Sequence, residues 1–127
     1  MKLRIRGASL RLRLTQGEIR QLRELGQVEE RLPFGGGVAL IYRLRRDAAV
    51  AQIEASLSGQ QLEIRVPEGM ARQWCDSEQV TLARAQPLPE GSLQITLEKD
   101  FACLAPRSEE DESDNFPHPG ATQGKVC

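Results

Sequence analysis

Apolar and charged residues alternate from the second position, Lys2-Leu3-Arg4-Ile5-Arg6, as on a strand with one buried face. Gly7-Ala8 interrupts the pattern, and Ser9-Leu10-Arg11-Leu12-Arg13-Leu14 resumes it. Thr15 then occupies an N-cap position with Glu18 three residues on, the two members of a capping box. Ile19, Leu22 and Leu25 recur at intervals of three, and Gly26 suits the residue that ends the helix. Val28 to Leu32 is a weaker strand, diluted by Glu29 and Glu30. Gly35-Gly36-Gly37 is followed by strand alternation from Val38 to Leu44, which predicts a hairpin. A phosphate cradle would need a helix after the glycines. The same order returns in Ala51 to Leu57, Gln61 to Val66, a helix from Glu68 to Cys75, Val80 to Ala83 and Ser92 to Leu97. Pro67 opens the second helix, where its missing N–H is not needed, and Pro87 to Gly91 replaces the triple glycine.

This recurrence is an internal repeat. At a spacing of 52 residues Gly7 faces Gly59, Arg13 faces Arg65, Leu22 faces Trp74 and Val28 faces Val80. One inserted residue later, Leu40, Tyr42 and Leu44 face Leu93, Ile95 and Leu97. The expected fold is mainly β with two short helices (α+β). Its β-β-α-β-β unit occurs twice and forms a pseudo-twofold barrel or barrel-like sheet. Two intertwined copies would remove exposed strand edges. An open antiparallel sheet carrying two helices is the alternative. The body spans residues 1–104, in units of about 1–50 and 51–104, and residues 105–127 form an acidic, Pro/Gly-rich tail. The stretch from Ile64 through Pro67 to Val80 also resembles the half-unit of the cradle-loop barrels, which include swapped-hairpin DNA-binding proteins.

With 127 residues the chain can bury one core, which Leu, Ile and Val must largely fill because only Phe34, Tyr42, Trp74, Phe101 and Phe116 are aromatic. It has neither a membrane-length apolar run nor a secretory leader, so no membrane partner and a cytoplasmic location are expected. Charge changes the picture more. Residues 1–46 carry eleven Lys or Arg against four Glu, and residues 47–127 carry six against fourteen Asp or Glu. Arg4, Arg6, Arg11 and Arg13 on the first two strands could meet nucleic acid. Charges at every second strand position are also ordinary solvent faces, which the acidic tail could neutralise.

Candidate chemistry lies in the tail. Cys103, Asp114, His118 and Cys127 are thiol, imidazole and carboxylate donors of the kind that hold zinc or another transition metal. The same thiols could form a disulfide or redox pair, or simply pack. Three cysteines in a cytoplasmic chain argue against a disulfide framework. The acidic run from Glu109 to Asp114 lacks the spacing of a calcium loop. A Cys103 nucleophile would have to draw on His118, the sole histidine. Phe116, among acids and prolines, is expected to anchor the tail. Packing is expected from Glu98 to about Phe116, and order to Cys127 only if the thiols are linked.

The run from Lys2 to Thr15 at one end, and Glu98-Lys99-Asp100-Phe101-x-Cys103, Glu110-Asp111-x-Ser113-Asp114-Asn115 and Cys127 at the other, resemble a family of small bacterial proteins of unknown function. The resemblance covers nearly the whole chain and implies no activity. His118 departs from it, since Asn is usual there. The expected function is therefore that of a non-enzymatic binding or accessory protein, binding a transition metal through the tail cysteines. The alternative is nucleic-acid binding through the basic N-terminal strands. A protein partner or a second copy of the chain is compatible with either.

Overall fold

A computed structural model describes residues 1–101 and Phe116. The first repeat unit comprises β1 (Lys2–Arg6), β2 (Ser9–Leu14), α1 (Gln16–Leu25), β3 (Gln27–Gly35) and β4 (Val38–Asp47). The second comprises β5 (Glu54–Ser58), β6 (Gln61–Pro67), α2 (Glu68–Asp76), β7 (Thr81–Leu88) and β8 (Gly91–Lys99). The expected order is observed, with both long hairpins extending further toward their turns than the alternation alone predicted.

Each unit gives one hairpin to each of two four-stranded sheets. The first sheet runs β1-β2-β8-β7 and the second β3-β4-β6-β5. At the centre of each, strands from different units pair in parallel: β2 with β8 and β4 with β6. The register obeys the pseudo-twofold. Leu10 lies opposite Ile95 and Leu12 opposite Leu97, while their counterparts Leu62 and Ile64 lie opposite Tyr42 and Leu44. At the end of the second helix the spacing changes. Val28 pairs with Leu44, but the residue that pairs with Leu97 is Leu82. Leu82 is therefore the structural counterpart of Val28, because the chain after α2 is two residues longer; Val80 lies before β7 and is exposed.

The inner faces meet in one core. Leu12, Leu14, Leu44, Ile64, Val66 and Leu97 come from the four central strands, and Leu22, Ala71 and Trp74 come from the helices. All nine are fully buried. The matched pair Leu22 and Trp74 thus shares one role, and the buried indole N–H donates to the Val80 carbonyl at 3.2 Å. The α1 capping box forms as expected: Thr15 Oγ1 accepts from the Glu18 N–H, and Glu18 Oε1 accepts from the Thr15 N–H at 2.9 Å. Gly26 ends α1 at φ 86°, a left-handed conformation that disfavours side chains, and its N–H donates to the Leu22 carbonyl.

The two sheets give the barrel-like arrangement expected, and among the described residues strand pairing does not close it. Side chains span its two seams instead. Between β5 and β7, Gln86 accepts from the Ala55 N–H at 2.7 Å and donates to the Ala55 carbonyl at 3.0 Å. Arg84 Nη1 donates to the Ile53 carbonyl at 2.6 Å. At the equivalent seam between β1 and β3, the Met1 ammonium pairs with Glu18 and with Glu30, the latter at 3.0 Å. Tyr42 there donates its hydroxyl to the Met1 carbonyl at 3.1 Å. An amide that satisfies both polar groups of one edge residue does locally what another strand would do.

Candidate functional site

Alternation on β1 and β2 puts Leu10, Leu12 and Leu14 into the core, so the arginines between them must point outward. Register then aligns the cations across strands: Lys2 faces Arg13 and Arg4 faces Arg11, with Arg6 opposite Ser9. All four arginines singled out from the sequence therefore share the outer face of the first sheet. Directly opposed like charges are destabilising. The next strand offsets part of that cost. Glu98 on β8 lies opposite Arg13, accepts from its Nε at 2.5 Å, and stands 3.7 Å from Arg11 Nη1. Just past β8, Asp100 pairs with Lys2 at 3.0 Å. Residues 2–99 of this face contribute five cations and one buried carboxylate.

The outer face of the second sheet follows another rule. Arg43 binds Glu29 at 2.6 Å and Glu63 at 3.1 Å, Arg45 binds Glu63 at 3.2 Å, and Arg65 binds Glu54 at 2.9 Å. The hydrogen bond from Arg45 holds the Glu63 carboxyl below its ordinary range; burial opposes this, and Arg43 adds to the lowering. This face closes its charges on itself.

A cleft of about 570 Å³ opens between the start of α1 and the loop after α2. Leu14, Ile19 and Phe101 supply its apolar walls, and Gln16, Ser77, Glu78, Lys99 and Asp100 its polar ones. Lys99 donates to the Ser77 carbonyl at 2.7 Å and lies 5.9 Å from the centre of the Trp74 ring. The cleft escaped the strand-by-strand reading of the sequence. Its signal was nevertheless present, in the repeat positions where the two units differ in charge.

Cys103, Asp114, His118 and Cys127 lie outside the described residues, as does the run from Glu109 to Asp114. Phe116, expected to anchor the tail, is 97% exposed. Among the described residues no group of three or more His, Cys, Asp or Glu could hold a metal ion. Cys75 is half-buried, with its thiol 3.7 Å from the Ile19 carbonyl. Burial, and after it the Asp76 charge, push its pKa up, which suits a packed thiol rather than a nucleophile. No helix of the described residues is long and apolar enough to cross a membrane.

Residues 1–120 match the model of a family of unknown function, DUF7009. The chain belongs to that family. Membership agrees with the resemblance drawn from the two ends of the sequence and assigns no activity. No curated protein and no solved structure matches the chain.

Proposed function

We propose that the protein is a binding or accessory protein that engages the phosphate backbone of nucleic acid through the outer face of the first sheet. One observation supports this reading most directly: Arg4, Arg6, Arg11 and Arg13 lie together on adjoining strands beside Lys2, while the equivalent face of the second sheet neutralises itself. The planar fork of arginine matches phosphate oxygens. No aromatic residue shares that face, so base stacking plays no part and binding is independent of sequence.

Four phosphate contacts correspond to a slope of about −3.6 in log affinity against log salt, or roughly a hundredfold loss between about 50 and 200 mM. Fluorescence anisotropy of the full-length chain with a labelled random duplex measures this. Arg6→Gln and Arg11→Gln should each flatten the slope by about 0.9, and Arg43→Gln on the second sheet should leave it alone. Absence of binding at about 50 mM salt would remove the proposal. The transition-metal reading of Cys103, Asp114, His118 and Cys127 is a separate proposal resting on donor chemistry alone. Elemental analysis of protein purified without chelator tests it, and far less than one ion per chain would dispose of it.

A further inference from the structure

The two units finish the same corner of the core in different ways. In one corner Arg46 on β4 closes the space between the helices. Its Nε and Nη2 donate to the Leu22 and Arg23 carbonyls at the end of α1, at 3.2 and 3.3 Å. Its Nη1 donates to Glu68 Oε1 at 2.6 Å, and Arg72 Nε holds the same oxygen at 2.9 Å. Two cations from different elements thus clasp one carboxylate at the start of α2.

Under the repeat register Lys99 corresponds to Arg46, Gln16 to Glu68, Arg20 to Arg72 and Ile19 to Ala71. Both cationic positions are retained in the other corner, while a neutral amide stands where the carboxylate stood. An ammonium cannot fork as a guanidinium does, and Lys99 is held by the Ser77 carbonyl alone among the neighbouring backbone oxygens of the described residues. The chain after α2 is two residues longer than the chain after α1, and Ser77 and Glu78 line the space here. The outcome is the 570 Å³ cleft in place of a clasp.

We infer that this cleft binds a small carboxylate with an apolar body. The carboxylate takes the position that Glu68 holds in the other corner, beside Lys99 at the Gln16 end of the cleft, and the apolar part lies along Leu14, Ile19 and Phe101. A volume of this size suits a small-molecule site. The acidic lining residues orient the ligand: Asp100 is engaged by Lys2 and Glu78 is exposed on the loop after α2, so the ligand's charge belongs at the α1 end. There the first-turn amides of Gln16 and Gly17, which the Thr15–Glu18 box does not use, add to the attraction. The inference is independent of the nucleic-acid reading.

Octanoate and 1-octanol are suitable probes, because they share an apolar body and differ in charge. Titrated into ¹⁵N-labelled full-length protein, octanoate should give saturable shifts at the amides of Gln16, Gly17, Ile19 and Lys99. Octanol should bind about tenfold more weakly or worse, the loss expected when a charge-assisted hydrogen bond is absent. Gln16→Glu supplies an internal carboxylate and should weaken octanoate about tenfold while leaving octanol within about twofold. Lys99→Met should weaken octanoate without weakening octanol. Equal affinities for the two probes, indifference to Gln16→Glu, or no saturable shift up to about 10 mM, beyond any useful affinity, would overturn the inference.

Discussion

The outer faces of the two sheets share one register and carry different charge. On the second sheet four carboxylates (Glu29, Asp47, Glu54 and Glu63) answer four guanidiniums (Arg31, Arg43, Arg45 and Arg65). On the first, among the described residues, Glu98 and, just past β8, Asp100 stand among Lys2, Arg4, Arg6, Arg11 and Arg13. The placement of the acids is informative. Glu63 corresponds to Arg11, and Glu98 corresponds to Arg45, so each sheet has an acid in its central parallel pair but on opposite strands. Each parallel pair sets one carboxylate beside the arginines of its partner strand, and either strand can provide it. Beyond that requirement the outer face is free to diverge, because the register is held by the leucines and isoleucines on the inner side.

The severest way to break this comparison is to attack what the two sheets share. Leu12 and Ile64 are matched in the repeat and fully buried. Leu12→Ala and Ile64→Ala should each cost about 2–5 kcal/mol in urea denaturation, by lost transfer energy plus a cavity. If one costs less than half of the other, the two halves of the core are not equivalent in energy.

Removing the acids sharpens the contrast. Glu98→Gln and Glu63→Gln should each destabilise by about 1–2 kcal/mol, below the cost of breaking a fully buried pair because their partners are partly exposed. Only Glu98→Gln should also raise affinity for duplex nucleic acid, since only that face is proposed to meet phosphate. A gain from Glu63→Gln instead would move the proposed interface to the other sheet.

The seams differ in the same spirit, one ionic and one neutral in its acceptors. Burial alone would lower the pKa of the Met1 ammonium, but its hydrogen bonds to Glu18 and Glu30 and their charges raise it above its ordinary 8.0. Burial would likewise raise the Glu18 carboxyl, and the ammonium and Thr15 outweigh it to bring the value below 4.5. Stability from the raised ammonium is complete below pH 8.0 and is lost as pH climbs through its folded value. Stability from the lowered carboxyl is complete above pH 4.5 and is lost as pH falls through its folded value. Melting temperature should therefore decline on both sides of that window, and Glu30→Gln should blunt the alkaline decline. Gln86→Met at the other seam should leave the pH profile unchanged in shape. The smallest effect concerns Cys75, which should react with iodoacetamide at pH 8 more slowly than free cysteine; a faster rate would mean that the thiol is not packed as described.

Much of this was readable from the chain. Alternation gave the strands, Thr15 and Glu18 the start of α1, and the repeat the pseudo-twofold, because each depends on residues close in sequence or at a fixed spacing. The shift that matches Val28 with Leu82 was hidden: the two additional residues fall in a loop, where no periodicity marks them. Gln86 and Arg84 were invisible as seam closers, since polar residues on a strand look alike whether they meet water or a neighbouring edge. The four arginines stand out as a group, but Glu98, the acid that tempers them, falls just past the strand that the alternation predicts from Ser92 to Leu97. The metal donors proposed for the tail and the segment around them fall outside the described residues, so the fold bears on the body alone.

The parallel pairing of β2 with β8 has a consequence for synthesis. The first hairpin leaves the ribosome early, yet its partner strand is made some 85 residues later, which at ordinary translation rates is a delay of roughly 4–17 s. Throughout that interval β2 offers an unsatisfied edge backed by Leu10, Leu12 and Leu14. Arginines at every second position on the opposite side are well suited to keep nascent copies apart while they wait. The charge ladder on the first sheet would then serve the chain before it is folded as well as after.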